Sequence, residues 1–163
     1  MVIKSLKDGK YKIESSGDQG KVDVFLQEGS VEIEGAPFVI DSAGEYEVKG
    51  IHIYGIDAGS GNKPIFLVST QERIKVALIG PLKVLPSQDQ LEELSDVDIL
   101  LTSLGDKNIE ALEQIEPNLF IPIDYSPELL QKYFSGVIPK IQDKLTLKDG
   151  EELTEEMEIV VLQ

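Results

Sequence analysis

Residues 95–125 read SDVDILLTSLGDKNIEALEQIEPNLFIPIDY, and within them the hydrophobic pattern changes from that of a strand to that of a helix and back again. Val97–Leu101 is a short apolar run, Ile109–Ile115 has apolar residues at helical spacing, and Leu119–Ile123 is apolar again. Two buried strands joined by a crossover helix lie parallel in one sheet. The stretch therefore predicts a βαβ unit around which the rest of the fold is arranged.

A functional site is expected at the carboxyl ends of these two strands, because open α/β sheets bind ligands at that edge. The edge corresponds to Ser103–Lys107 and Asp124–Ser126. It contains hydroxyls, a glycine and carboxylates, but no histidine or cysteine. These residue types alone do not indicate a particular reaction.

The excess of acidic residues limits the possible partners. Thirty acidic and fifteen basic residues leave a formal net charge of −15. A surface of this sign repels phosphate backbones and anionic lipid headgroups. We therefore predict no nucleic-acid partner and no membrane partner.

The length and the absence of cysteine indicate the class of protein. A chain of 163 residues is the size of one domain, and without cysteine it has neither disulfides nor thiolate metal sites. No apolar run approaches the roughly 20 residues of a membrane span, and residues 2–15 do not resemble a signal peptide. We expect a single soluble domain over residues 1–163, located in the cytoplasm.

The first half of the chain has the pattern of antiparallel strands. Tyr11–Glu14 and Val22–Leu26 are strands separated by a loop, SSGDQGK, and EYEVKGIHIYGI has a slip in phase that predicts a bulge or sharp bend at Lys49-Gly50. PIFLVST and RIKVALIG predict a hairpin with its turn at Gln71-Glu72.

The second half alternates between helix and strand. Ser87–Gln90 is a capping box that opens a short helix ending near Leu94, and Ser126-Pro127-Glu128 is typical of a helix start. Lys144–Leu147 and Met157–Leu162 are strands separated by an acidic, solvated loop. The order of elements predicts an α+β or α/β sandwich in which helices pack on sheets.

The sequences of several segments resemble those of the metallo-β-lactamase-fold hydrolases, and in particular those of a small bacterial group of them. The resemblance rests on PFVIDSAGEYEVKGIHIYGI, IFLVSTQERIKVALIGPLKVLPSQDQLEELSDVDILLTSLG, QIEPNLFIPIDY and KLTLKDGEELTEEMEIVVLQ, and IKSLKDGKYKIES is similar to the group's opening segment. It spans nearly the whole chain. It implies a shortened metallo-β-lactamase fold, which is a four-layer-like β-sandwich flanked by helices.

The chain departs from this family at its metal ligands. The His-x-His-x-Asp-His motif is missing, the place of the His-Leu-Gly-Asp motif reads Leu78-Ile79-Gly80-Pro81, and the final histidine corresponds to Asp124. Asp8 stands at the position of the early histidine. Zinc sites of this family need several imidazole and carboxylate ligands, and this chain has one histidine. The resemblance therefore implies a catalytically inactive relative with a binding or assembly role, no cofactor, and a protein partner, most simply a second copy.

Two alternatives remain open. Asp124 and Asp8 are weak candidates for a carboxylate site that, with Asp41 or Asp57, could hold Mg²⁺ or Mn²⁺ in a hydrolase of phosphoesters or esters. The structural interpretation of Asp124 is that it caps or precedes the helix that begins at Ser126. The second alternative is a small-molecule binding module that uses the cleft between the two β layers.

The other polar residues are better explained by structure than by catalysis. His52 lies between two isoleucines, so we expect it on the exposed face of a strand. Ser103 and Ser69 have no evident histidine partner for nucleophilic catalysis. Residues 106–108 are explained by helix capping. The set of Gly44, Gly50 and Gly55, each within or beside a strand, indicates turns rather than a phosphate loop.

Overall fold

The computed structural model describes all 163 residues, which form fourteen strands and three α-helices. In chain order the elements are β1 (Val2–Ser5), β2 (Tyr11–Gly17), β3 (Gly20–Gln27), β4 (Ser30–Ile33), β5 (Val39–Ile40), β6 (Gly44–Val48), β7 (Ile51–Ile56), β8 (Ile65–Ser69), β9 (Lys75–Ile79), α1 (Gln88–Glu92), β10 (Ile99–Thr102), α2 (Asp106–Ile115), β11 (Leu119–Pro122), α3 (Pro127–Tyr133), β12 (Lys140–Gln142), β13 (Leu145–Thr146) and β14 (Glu158–Leu162). A single 3₁₀ turn precedes β14.

The strands form two sheets. The six-stranded sheet has the order β13-β1-β2-β3-β4-β5 and is antiparallel throughout. The eight-stranded sheet has the order β12-β14-β11-β10-β9-β8-β7-β6. Its strands are antiparallel from β6 to β9 and parallel from β9 to β12. The antiparallel part comes from the first half of the chain and the parallel part from the second, as the sequence predicts.

The predicted βαβ unit is confirmed. Strands β10 and β11 pair in parallel, with Ile99 opposite Leu119, and α2 connects them. The side of α2 that faces the sheet is apolar and buried, which explains the helical spacing of its hydrophobic residues. Glu116 ends the helix in a left-handed conformation, with φ of 52°, and Pro117 follows it.

Two separate hydrophobic clusters produce a three-layer structure. One of 24 buried residues fills the space between the two sheets, and the other, of 18, lies between the eight-stranded sheet and the helices. All three α-helices pack on that one outer face. The outer face of the six-stranded sheet carries no helix, so the fourth layer of the expected sandwich is not confirmed. None of the helices has the length and apolar character needed to cross a bilayer.

The structure shortens one predicted loop and decides between two alternatives at a second position. Strands β2 and β3 continue through most of the predicted SSGDQGK loop and leave only two residues, Asp18 and Gln19, between the paired Gly17 and Gly20. At Lys49-Gly50 the structure has a hairpin turn, so the predicted sharp bend is confirmed and the alternative of a bulge is not. Both residues have positive φ, 52° and 80°, which suits the two-residue hairpin turns that follow the twist of the strands.

Candidate functional site at the carboxyl edge of the sheet

Asn108 joins the ends of β9 and β10 at the edge where a site is expected. Its buried side chain donates from Nδ2 to the Gly80 carbonyl and to Thr102 Oγ1, both at 2.8 Å, and its Oδ1 accepts from the Leu82 N–H at 3.1 Å. Thr102 Oγ1 in turn donates to the Ile79 carbonyl at 2.9 Å. The amide of Asn108 is therefore used by the chain's own backbone and by one buried hydroxyl.

This role corrects the capping interpretation of residues 106–108. The N-cap of α2 is Gly105, which has no side chain to accept a hydrogen bond. Asp106 instead accepts a hydrogen bond from the Tyr133 hydroxyl at 2.6 Å, and Lys132 lies nearby. These two contacts lower the pKa of the Asp106 carboxyl. Asp106 thereby links α2 to α3.

Asp124 is also tied to the backbone. Its Oδ1 accepts a hydrogen bond from the Leu104 N–H at 2.9 Å, which holds the loop after β10 beside the end of β11. It precedes α3 without capping it, because the Ser126 hydroxyl accepts from the Leu129 N–H at 3.1 Å. Burial raises the pKa of Tyr11, and the negative charge of Asp124 adds to that increase, while a hydrogen bond with Ser5 opposes it.

The structure does not bring the four candidate carboxylates into one site. Asp8 is exposed in the turn between β1 and β2, with φ of 61°, and Asp41 is exposed after β5. Asp57, after β7, accepts a hydrogen bond from the Gly59 N–H at 3.0 Å. No group of three or more histidine, cysteine, aspartate or glutamate side chains lies close enough to hold a metal ion.

A second asparagine, Asn62, connects the loops that follow β7 and β9. Its Nδ2 donates to the carbonyls of Ala58 and Val84, both at 2.7 Å, and its Oδ1 accepts from the Lys83 N–H at 2.9 Å. The Lys107 ammonium donates to the Lys83 carbonyl. Sequence reasoning did not predict this role of Asn62, because its partners at residues 83 and 84 lie in a different loop.

The space remaining at this edge is small. The Glu28 side chain lies against Gly80, where a Cβ atom would come within 2.2 Å of the Glu28 Cγ. The adjoining cavity, which Lys63 and Leu82 also line, measures about 10 Å³. That volume admits about one water molecule. The end of β9 thus has little room for a substrate.

His52 lies on the exposed face of β7, as predicted, with Nδ1 3.7 Å from Glu47 Oε2. Ser69 is the cross-strand partner of His52, but no hydrogen bond joins the two side chains, so this position does not contradict the prediction that Ser69 lacks a catalytic histidine partner. A nucleophilic serine needs a hydrogen-bonded base. Ser103 is buried and has no histidine beside it.

Comparison with known proteins identifies the fold. No protein-family model matches the chain, and no curated protein sequence does. Its structure is similar to a crystal structure from Thermotoga maritima, of a candidate Zn-dependent hydrolase of the metallo-β-lactamase superfamily, with a TM-score of 0.68. The sequence identity is 18%, and the match covers 99% of this chain and 98% of that chain. This chain has the metallo-β-lactamase fold. At this identity the similarity extends to the fold and not to the zinc chemistry named for the Thermotoga protein.

Proposed function

We propose that this chain is a catalytically inactive protein of the metallo-β-lactamase fold whose role is binding or assembly. One observation carries the proposal: three polar side chains at the carboxyl edge form hydrogen bonds with the chain's own backbone. Asn108, Asn62 and Asp124 each satisfy main-chain groups of the loops there. A hydrolytic site requires side chains directed at a substrate and a cavity to hold it.

The chemistry of the metal ligands supports the same proposal. The chain's single histidine is exposed on β7, and the carboxylates at or near the edge stand in separate loops. Asp124, which the resemblance places at the position of the hydrolases' final histidine, accepts a hydrogen bond from the Leu104 N–H. We therefore assign no step of a reaction to these residues.

The proposal is tested by hydrolysis assays. Bis(p-nitrophenyl) phosphate and p-nitrophenyl acetate would be incubated with the purified protein in Zn²⁺, Mn²⁺ or Mg²⁺, and in EDTA. We expect the same rate as in the metal buffer without protein. Metal-dependent turnover that disappears in Asp124→Asn would contradict the proposal and would favour a carboxylate-based hydrolase. A variant of the distant, exposed Glu113, Glu113→Gln, is the matched control.

A small-molecule binding module is the second candidate, and a specific cavity favours it. A space of about 200 Å³ opens between the two sheets, with Leu119, Leu145 and Val160 among its apolar lining. The Lys140 ammonium and the Glu158 carboxylate form an ion pair at its rim, 2.6 Å apart. A thermal-shift screen with nucleotides and sugars distinguishes this role, because a ligand of the native state raises the melting temperature without turnover.

A further inference from the structure

The outer face of the six-stranded sheet is the surface that distinguishes this chain from a four-layer sandwich. No helix covers it, and its central strands carry a network of balanced charges. The ion pairs are Lys4–Glu14 at 2.7 Å, Lys12–Glu14 at 3.4 Å, Lys12–Asp23 at 2.5 Å and Lys10–Glu32 at 3.1 Å. Three lysines thus face three carboxylates, whereas the whole chain has a net charge of −15. The acidic excess lies elsewhere on the molecule.

An apolar groove of about 530 Å³ borders this network at the β5 edge of the sheet. Its apolar lining includes Phe25, Phe38 and Val39, and Glu32 and Glu34 also line it; the residues Phe38 and Val39 are each 50% exposed. Val39 lies opposite Glu32 in the cross-strand register, so it belongs to the same outer face as the ion pairs. Aromatic residues in a concave, partly desolvated surface are typical of interface hot spots.

We propose that this groove and the adjoining charged face bind a second copy of the chain in a symmetric dimer. The inference rests on the binding or assembly role proposed above and assigns it a surface and a partner. Two copies with 15 surplus negative charges each repel one another at most of their surfaces. Repulsion is least where the charges balance, because contributions from beyond about 8 Å are screened at physiological salt. A row of alternating lysines and carboxylates is also self-complementary about a two-fold axis.

The opposite edge of the molecule offers the competing surface. Strand β12 is the outermost strand of the eight-stranded sheet. Ile138, just before it, is 91% exposed, and Ile141, within it, is 55% exposed. Pro139 removes a backbone donor there, and the exposed Lys140 is typical of edge strands protected against pairing. We therefore assign the dimer contact to the β5 edge.

The test is sedimentation velocity of the full chain at about 1 to 100 µM, a range that resolves micromolar association. We expect a dimer whose dissociation constant rises at least about tenfold in Phe38→Ser, as for an interface hot spot. Val39→Lys should act similarly, and it provides a second variant if Phe38→Ser unfolds. The control Ile141→Ser should leave the constant unchanged. Circular dichroism and melting curves establish that each variant is folded.

The salt dependence of dimerisation provides an independent test of the proposed partner. Raising sodium chloride from about 50 to 500 mM should strengthen the dimer, because it screens the repulsion between two acidic chains. A chain that stays monomeric up to the highest concentration at both salt levels would overturn the inference. So would a dimer dissociated by Ile141→Ser and unaffected by Phe38→Ser and Val39→Lys. Metal-dependent turnover would overturn the proposed function but not the dimer, so the two failures are distinguishable.

Discussion

Asn108 on α2 donates a hydrogen bond to the carbonyl of Gly80, 28 residues earlier in the chain and just beyond β9, at a distance of 2.8 Å. The same side chain also accepts from the Leu82 N–H. One amide on a helix therefore holds the start of the loop after β9 against α2.

Replacement of Asn108 by alanine should destabilise the protein by about 1 to 3 kcal/mol, because it leaves the part-buried Leu82 N–H and Gly80 carbonyl without their partner, while the Thr102 hydroxyl keeps its bond to the Ile79 carbonyl. Urea denaturation measures the change. Gln114→Ala, on the exposed side of the same helix, is the matched control and should cost less than about 0.5 kcal/mol. Similar losses for the two variants would show that Asn108 does not hold the loop.

Gly80 should tolerate alanine only when Glu28 is shortened. A Cβ at Gly80 would approach within 2.2 Å of the Glu28 Cγ and would meet no backbone atom within 3 Å. Gly80→Ala should therefore cost about 1 to 3 kcal/mol, which is typical of overpacking. In a Glu28→Ala background the same change should cost less than about 0.5 kcal/mol. A double-mutant cycle by urea denaturation measures this coupling, and additive costs would contradict the packing described here.

Glu72 should make the stability of the fold depend on acid pH. Burial raises the pKa of its carboxyl, but hydrogen bonds from the Ser15 hydroxyl at 2.6 Å, from the Ser16 N–H at 2.9 Å and from its own N–H outweigh that effect. The amino group of Met1, 3.5 Å away, acts in the same direction. The net result is a pKa of about 2, below the ordinary value of 4.5.

Because this pKa is lower in the folded state, the carboxylate stabilises the fold above pH 4.5, and the stabilisation is lost as the pH falls towards 2. Glu72→Gln should therefore lower the free energy of unfolding at pH 7 by about 2 kcal/mol and flatten its decline below pH 4.5. Denaturant titrations at several pH values measure both effects. Glu113→Gln, on the exposed side of α2, should leave the pH profile unchanged, and equal profiles for all three proteins would exclude the role of Glu72.

Asp124 should behave as a structural acceptor rather than as a metal ligand. Asp124→Ala should lower the melting temperature in EDTA, because the Leu104 N–H loses its partner. Zn²⁺, Mn²⁺ and Mg²⁺ should shift the melting curve of neither protein. A metal bound at one hundred times its dissociation constant would add about 2.7 kcal/mol, which is easily detected. Stabilisation of the wild type that Asp124→Ala abolishes would instead show a carboxylate metal site.

Features that depend on neighbouring residues could be predicted from the sequence. The capping box at Ser87 and Gln90 forms as expected, and the hairpin around Gln71-Glu72 joins two antiparallel strands. The exposure of His52 followed from its position between two buried isoleucines. Each of these depends on local backbone geometry or on the alternation of side chains along a strand, which a few consecutive residues specify.

The partners of the polar side chains could not be predicted in this way. Asn108 and Asp124 reach groups 28 and 20 residues away, and Ser69 meets His52 across a strand pair. Strand β12 is only three residues long and has no strand-like hydrophobic pattern in the sequence. It forms by pairing with β14, which lies later in the chain. Such contacts depend on register and loop geometry, which are decided when the sheets assemble.

The sequence alone determined the change from antiparallel strands to alternating helix and strand, the parallel unit at residues 95–125 and the presence of a single histidine, since these follow from local patterning and composition. Only the tertiary structure decided that helices cover one outer face, that Asn108, Asn62 and Asp124 bind backbone groups of the loops at the carboxyl edge, and that Phe38 and Val39 remain exposed beside a charge-balanced face. The physical reason is that burial and hydrogen bonding are properties of pairs of distant segments, and the sequence specifies each segment separately.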